Sequence, residues 1–488
     1  MLHKTVYLST VSNPPTMKRM PDIAVGTETF DEIRRSGCLY VDKTGLLIGM
    51  CEDILKLRRN VHIYTRPTRF GKTLNQTMID RFFNVACAGQ DDVFQGLEIS
   101  EHHEFDTLKN RYPVIRLNMR ALDPRSVESL YDSIRTMAAA AYSGVTRDYG
   151  RNWMSDDTQD IFSDVRKQKI SDSAAISSIA ELSSTLLEEL KDNAGNPVGQ
   201  MPIILMDEYD AFIQEIGRVS DDKFSAITSV IAKFMTTTFK DNTNFTLGVI
   251  TGILTLSQTG IISGLNNPII HNIFDQGSGR FFGYTEGDVR DIVQNYLPDD
   301  VDKGKVLADI KDMYDGYVFG GLEIYNPRSV NMYLDKGDFT QEPDPYWEQS
   351  RRNEILDDLI FSAPERVQDE IAGLITGKDR KEISITPSTT YRDLFTDDDE
   401  CTCLYSYLTV TGYLKAEAIR KEGVGFICNV SLPSKEMKHA YDNLVSKARS
   451  RSITGNDFFD ALYSEDAEKA TAAFNRHLEA WYNAVDAE

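Results

Sequence analysis

Short apolar runs recur along the chain, separated by longer stretches in which apolar residues return every three or four positions. The runs NVHIYT (60–65), YPVIRLNM (112–119), PIILMDEYD (202–210) and FTLGVIT (245–251) have strand length, and PIIHNI (268–273) reads as a further extended piece. FDEIRRSG (30–37) predicts a short helix ended by Gly37. Helical spacing also runs through 43–59, 71–87 and most of 125–195, where Gly195 is the predicted stop. Strands alternating with helices predict an α/β fold, a parallel sheet covered by helices on both faces.

The pattern changes after about residue 284. TEGDVRDIVQNYL (285–297) predicts a helix capped by Thr285, and 306–334 reads as helix, glycine-rich hairpin and helix, a winged-helix-like or helical lid. Beyond 341 the spacing is mostly helical, with a small sheet expected around 405–419 and 425–432. The expected organisation is a leader at 1–25, a core at 26–284, a lid at 285–340 and a mostly α-helical region at 341–488.

With 488 residues the chain is long enough for about three domains, and 41% hydrophobic residues place it among folded proteins. Its net charge of −22 disfavours binding nucleic acid over its whole surface, although a local basic groove stays open. The first twenty residues contain no continuous apolar core, so no signal peptide is expected. Phe245–Ile262 is interrupted by Thr246, Thr251, Thr255, Ser257, Gln258 and Thr259, so it reads as a strand, a turn and a second element and not as a membrane span. A cytoplasmic location without membrane attachment follows as the expectation. Six scattered cysteines form no disulfide framework, and Cys401-Thr402-Cys403 lacks the second pair a zinc site needs.

Candidate chemistry begins where the run 60–65 meets the helix at 71. Gly71-Lys72-Thr73 has the ending of a phosphate-binding loop, in which backbone N–H groups and a helix N-terminus meet phosphate oxygens. Lys72 would reach the β- and γ-phosphates of ATP, and the Thr73 hydroxyl would ligate Mg²⁺. An ordinary helix start explains the tripeptide alone equally well. The run 202–210 adds Asp207, placed to hold the Mg²⁺ shell, and Glu208, placed to orient the attacking water. Helix capping or pairing with a surface lysine is the alternative for these acids. Thr251 ends another strand, as a sensor of the γ-phosphate or as a buried hydroxyl satisfied by backbone.

FDEIRRSGCLYVDKT (30–44), RPTRFGKTL (66–74), VFQGLEI (93–99), ILMDEYD (204–210), VITGI (249–253), FFGYTEGDV (281–289), YDGYVFG (314–320) and YNPRSV (325–330) together resemble the bacterial and archaeal AAA-ATPase-like family of P-loop proteins. Members of that family often carry a C-terminal PD-(D/E)XK nuclease-like domain. The resemblance implies a nucleotide site formed by Arg66, Pro67, Thr68, Arg69, Phe70, Gly71, Lys72 and Thr73, with Arg66 standing where the usual loop has glycine. Thr68 departs from the arginine usual in the family. Pro67 donates no N–H and Arg66 takes positive φ only at a cost, so a guanidinium from Arg66 or Arg69 is the expected replacement contact to phosphate. Tyr40, Asp42 and Lys43 would border the adenine or form a structural pair. Arg280 and Arg290 are candidate arginine sensors or surface ion pairs.

The reading is an ATPase that uses Mg²⁺ and acts as a slow conformational switch on a protein partner or within a homo-oligomer. The alternatives are a non-hydrolysing nucleotide-binding adaptor, and a regulator of a separately encoded nuclease. The nearest nuclease-like triplet, Glu436-Met437-Lys438, reads as a helix start. No nuclease activity of the chain's own is expected.

Overall fold

The apolar runs become strands β1 (Val61–Thr65), β2 (Val114–Asn118), β3 (Ile203–Asp207), β4 (Leu247–Gly252) and β5 (Pro268–His271). In this computed structural model they form one sheet of order β2-β3-β4-β1-β5, and every adjacent pair is parallel. Every residue of β1, β3 and β4 is buried. A parallel sheet with helices on both faces has no wet side, which is why these runs show no polar alternation. The described residues are 21–347, apart from 25, 59, 193, 217–218, 257–260, 263–264 and 266–267, together with 370–371, 373–374, 381–389, 393 and 402–441. The expected leader up to residue 20 and the part of the expected helical region beyond 441 lie outside them.

Helices α1 (Phe30–Ser36), α2 (Leu46–Leu55), α3 (Lys72–Phe83), α4 (Val127–Tyr149), α5 (Asp156–Arg166), α6 (Asp172–Glu189), α7 (Ile213–Ile216) and α8 (Asp221–Phe239) accompany the sheet. Gly37 ends α1 in the left-handed conformation at φ 68, as its position predicted. Two helices stop before their predicted ends. Asn84 turns extended after α3, and its side chain accepts from the Ala86 N–H to open a 3-10 turn. Leu190 turns extended after α6, and Lys191 pairs with Pro197 ahead of β3.

Beyond the sheet, α9 (Glu286–Tyr296) starts with a capping box between Thr285 and Asp288. It is followed by α10 (Lys303–Tyr314), the hairpin β7 (Tyr317–Phe319) and β8 (Leu322–Tyr325), and α11 (Pro327–Lys336). The hairpin closes through Gly320 and Gly321, both at positive φ, and a short strand β6 (Tyr284–Thr285) completes an antiparallel sheet β6-β8-β7. This unit has its own core, including Val289, Ile310, Tyr333 and Leu334.

Further on come β9 (Lys381–Ile385), α12 (Thr402–Thr411), β10 (Lys415–Glu422) and β11 (Gly425–Ser431), with the strands in antiparallel order β10-β11-β9. The small sheet was expected to begin near 405, but residues through Thr411 are helical and the strand begins only at Lys415. Trp347, Ile385, Leu408 and Val430 join the same apolar core as Val61, Phe70 and Ile250. Among the described residues no helix is long and apolar enough to cross a membrane.

Candidate nucleotide site at the carboxyl ends of β1, β3 and β4

The sheet order puts β1 between β4 and β5, so the loop 66–71 opens at the sheet's carboxyl edge beside the end of β4, and open α/β sheets bind ligands at that edge. Gly71 stands at φ 79 as the residue before α3, and no side chain caps that helix. Its first N–H groups therefore point at the loop. The Lys72 ammonium folds back on the loop, donating to the carbonyls of Arg66 at 3.0 Å and Pro67 at 2.8 Å.

Across the loop, the Thr73 hydroxyl donates to Oδ2 of Asp207 at 2.9 Å. The Asp207 Oδ1 accepts from the Glu208 N–H at 2.9 Å and from the Thr251 hydroxyl. Gln76 completes the cluster, its amide donating to the Met206 carbonyl and to the Thr251 hydroxyl, both at 2.8 Å. The parallel register explains the meeting, because Met206 of β3 lies opposite Ile250 of β4 and Asp207 and Thr251 are the next residues along. Thr73 and Asp207 offer a hydroxyl and a carboxylate to one cation, the oxygen donor set that Mg²⁺ accepts alongside its own waters. The described residues hold no cluster of three or more His, Cys, Asp or Glu side chains suited to a metal, so any Mg²⁺ here would depend on water and nucleotide oxygens for the rest of its shell.

Two residues at this edge occupy left-handed backbone without being glycine: Arg69 at φ 70 and Glu208 at φ 54. Such positions cost roughly 1–3 kcal/mol each and persist only where surrounding contacts enforce them.

The loop arginines do not have the surroundings that their position suggested. Arg66, expected to replace a glycine N–H with a guanidinium–phosphate contact, is fully buried beneath the loop. It donates to the carbonyls of Thr65 and His271, both at 2.7 Å, and to the Ser278 hydroxyl at 2.8 Å. The guanidinium lies over the rings of Phe282 and Phe319, and burial pushes its pKa down to about 10. Arg69 turns away to the carbonyls of Tyr346 and Trp347. Pro67 and Phe70 are buried, and Thr68 is half-buried at the turn.

Upstream, Asp42 accepts from the Thr44 N–H at 2.8 Å and the Glu98 N–H at 2.6 Å. Lys43 pairs with Asp288 at 2.6 Å, fastening the N-terminal segment to the start of α9. The Tyr40 hydroxyl lies 3.4 Å from the Met78 sulfur on α3. These contacts tie Tyr40, Asp42 and Lys43 to α3, to Thr44 and Glu98, and to α9. Arg280 and Arg290 form exposed pairs with Glu98 and Glu286.

Sequence reasoning missed Gln76, Tyr209 and Asp210. The Tyr209 hydroxyl donates to the Leu254 carbonyl at 2.6 Å and accepts from the Leu256 N–H at 3.1 Å. The buried Asp210 carboxyl accepts from the N–H groups of Ile253 at 3.0 Å and Leu254 at 2.8 Å. Together they bind the chain that leaves β4 just after Thr251. The apolar run ending in Asp-Glu-Tyr-Asp held this signal, since Tyr209 and Asp210 follow the two acids directly. Burial pushes Asp210 up to about 6, with the Glu208 charge adding to the rise and Lys72 opposing it.

The family described as Predicted AAA-ATPase matches residues 24–262. A relative from Azotobacter chroococcum mcd 1, described as an uncharacterized protein in the vnfD 5′ region, is 26% identical over 352 residues, covering 70% of this chain and 56% of its own length. The chain thus spans little more than half the length of that relative. Among solved structures, the Aeropyrum pernix ORC1 protein in complex with DNA aligns over 84% of this chain and 95% of its own at 12% identity and a TM-score of 0.31. Drosophila ORC bound to DNA aligns over 90% of this chain and 96% of its own at 10% identity and a TM-score of 0.29.

Proposed function

We propose that this chain, which over residues 24–262 belongs to the Predicted AAA-ATPase family, binds ATP with Mg²⁺ at the loop following β1 and hydrolyses it slowly, as a conformational switch. The observation that carries the reading is the convergence of Thr73, Asp207 and Thr251, drawn from three elements, beside the Lys72 ammonium. A chance helix start explains Gly71-Lys72-Thr73 alone but gives no reason for a strand-end carboxylate and a strand-end hydroxyl to meet its threonine.

In this reading Lys72 leaves the carbonyls of Arg66 and Pro67 for the β- and γ-phosphates, and the uncapped N-terminus of α3 receives the remaining phosphate charge. Thr73 and Asp207 would hold Mg²⁺, which would supply positive charge to offset that of the phosphates. Glu208, the next residue along, orients and polarises the attacking water. Thr251, fixed by Gln76, reports the state of the site to the segment after β4. A cytoplasmic protein partner or a second copy of the chain would receive the switch. A non-hydrolysing adaptor is the second reading, favoured by the commitment of Arg66 and Arg69 to protein carbonyls, which takes both loop guanidiniums away from transition-state charge. Fluorescent ATP-analogue binding and phosphate release, with Lys72→Ala beside wild type, separate the two. Binding without turnover supports the adaptor, and binding that survives in a folded Lys72→Ala protein sinks the site.

A further inference from the structure

Both loop arginines are gripped by distant parts of the chain. Arg69, at φ 70, donates from one Nη to the carbonyls of Tyr346 and Trp347, each at 3.2 Å. The N–H groups of the same two residues are taken by Glu436, at 2.7 Å for Tyr346. Glu436 is only 1% exposed, lies on the helix over 435–441 and also accepts from the Ser329 hydroxyl at 2.9 Å. The Arg69 charge acts on that carboxylate. One two-residue segment is therefore held between the loop's guanidinium and a buried carboxylate. Two neighbouring contacts reinforce it. Gly412, at φ 90, lies so close to the loop that a Cβ there would come within 2.7 Å of the Pro67 Cβ. The Phe70 ring meets Tyr317 and Phe319 edge-on at 4.9 and 5.0 Å.

We infer that Arg69 is a positioning residue: its grip by residues 346–347 and Glu436 holds the phosphate loop in binding shape and couples nucleotide occupancy to the region from 402 to 441. The inference rests on the nucleotide reading of the loop. Left-handed backbone at an arginine is unfavourable on its own, so contacts from outside the loop must stabilise it. Contacts that favour the binding-competent loop are favoured in return when the loop is occupied, because the coupling is reciprocal. Simple packing between two domains predicts a loss of stability on removing Arg69 and no change in affinity.

The test measures affinity for a fluorescent ATP analogue with Mg²⁺, together with amide hydrogen exchange at 402–411 and 425–431, with and without saturating ATP. Wild type should show slower exchange there on adding ATP. Arg69→Ala should bind about tenfold more weakly, within the usual range of allosteric coupling, and should lose that slowing even when saturated. Arg69→Lys, which keeps one donor, should fall between the two. Glu436→Gln should weaken binding in the same direction, and with Arg69→Lys it carries the comparison if Arg69→Ala does not fold. Folded Arg69→Ala with wild-type affinity and wild-type slowing overturns the inference, as does a lower thermal midpoint with unchanged affinity. Those results leave the nucleotide reading standing if Lys72→Ala alone abolishes binding. A wild-type protein that binds no nucleotide overturns both.

Discussion

The Thr73 hydroxyl at the start of α3 donates to the Asp207 carboxylate at the end of β3 across 2.9 Å. The two residues lie 134 positions apart, and the sheet order joins them by placing β1 and β3 on either side of β4. The contact gives the loop a fixed partner on the neighbouring strands, so loss of the loop's cation can be examined without dismantling the sheet.

Lys72→Ala should abolish detectable ATP binding in a protein that keeps its fold. The ammonium donates to the Arg66 and Pro67 carbonyls of the loop, so its removal bears on the loop and not on the strand ladder. A charge-assisted hydrogen bond contributes about 1.5–3 kcal/mol, and Lys72 is expected to supply at least one to phosphate. Titration of a fluorescent ATP analogue, with circular dichroism to check the fold, measures this. Wild-type affinity in the folded variant would remove Lys72 from the site.

Glu208→Gln should bind ATP normally and lower turnover by about 10²- to 10⁴-fold, the range for loss of a positioned base. Glutamine keeps the shape and the unusual backbone position at φ 54 and loses the charge. Phosphate release under saturating ATP reads the effect. Turnover at the wild-type rate would make Glu208 a structural residue.

The strands and the place of the loop between strand and helix were legible because their signals are local. Compact apolar runs give β1 and β3, and Gly71-Lys72-Thr73 sits where β1 has ended and α3 begins. What was not legible depends on distant partners. Arg66 is held by His271 and Ser278, 205 and 212 positions away, and nothing near Arg66 in sequence points to them. Arg69 meets Tyr346 and Trp347 in the same way. The error at 405–411 has another cause: α12 is buried on all sides from Leu404 to Thr411, so its sequence shows neither helical nor strand periodicity.

Arg66→Met should lower stability by about 2–4 kcal/mol, since it leaves the Thr65 and His271 carbonyls and the Ser278 hydroxyl without their buried cationic donor. Methionine keeps an apolar stem between Phe282 and Phe319. Urea unfolding gives the value directly. A stability equal to wild type with a tenfold loss of ATP affinity would restore the phosphate contact that the loop position first suggested.

Asp210 should impose a pH dependence on stability. Burial raises its pKa from the ordinary 3.8 to about 6, so the folded protein holds this proton more tightly than the unfolded chain. The stability it contributes is fully present below pH 3.8 and is lost as pH rises through about 6. A rise of about two units corresponds to about 3 kcal/mol. His62 acts in the opposite direction over much of the same range, because burial depresses its pKa to about 4, so its contribution grows as pH rises from 4 to 6.5. The wild-type curve is thus a sum of opposing slopes, but His62 is common to both proteins when wild type is compared with Asp210→Asn. The difference between their urea-unfolding free energies should fall by about 3 kcal/mol between pH 4 and 7. Parallel curves would mean that the buried carboxyl titrates normally. A second comparison ties the acid to the candidate site. The Lys72 charge holds the Asp210 pKa down, so in Lys72→Ala the same fall should move to higher pH. If it stays where it is in wild type, the cation on the loop and the acid beneath β4 are electrostatically independent, and Asp210 serves only to hold the Ile253–Leu254 turn.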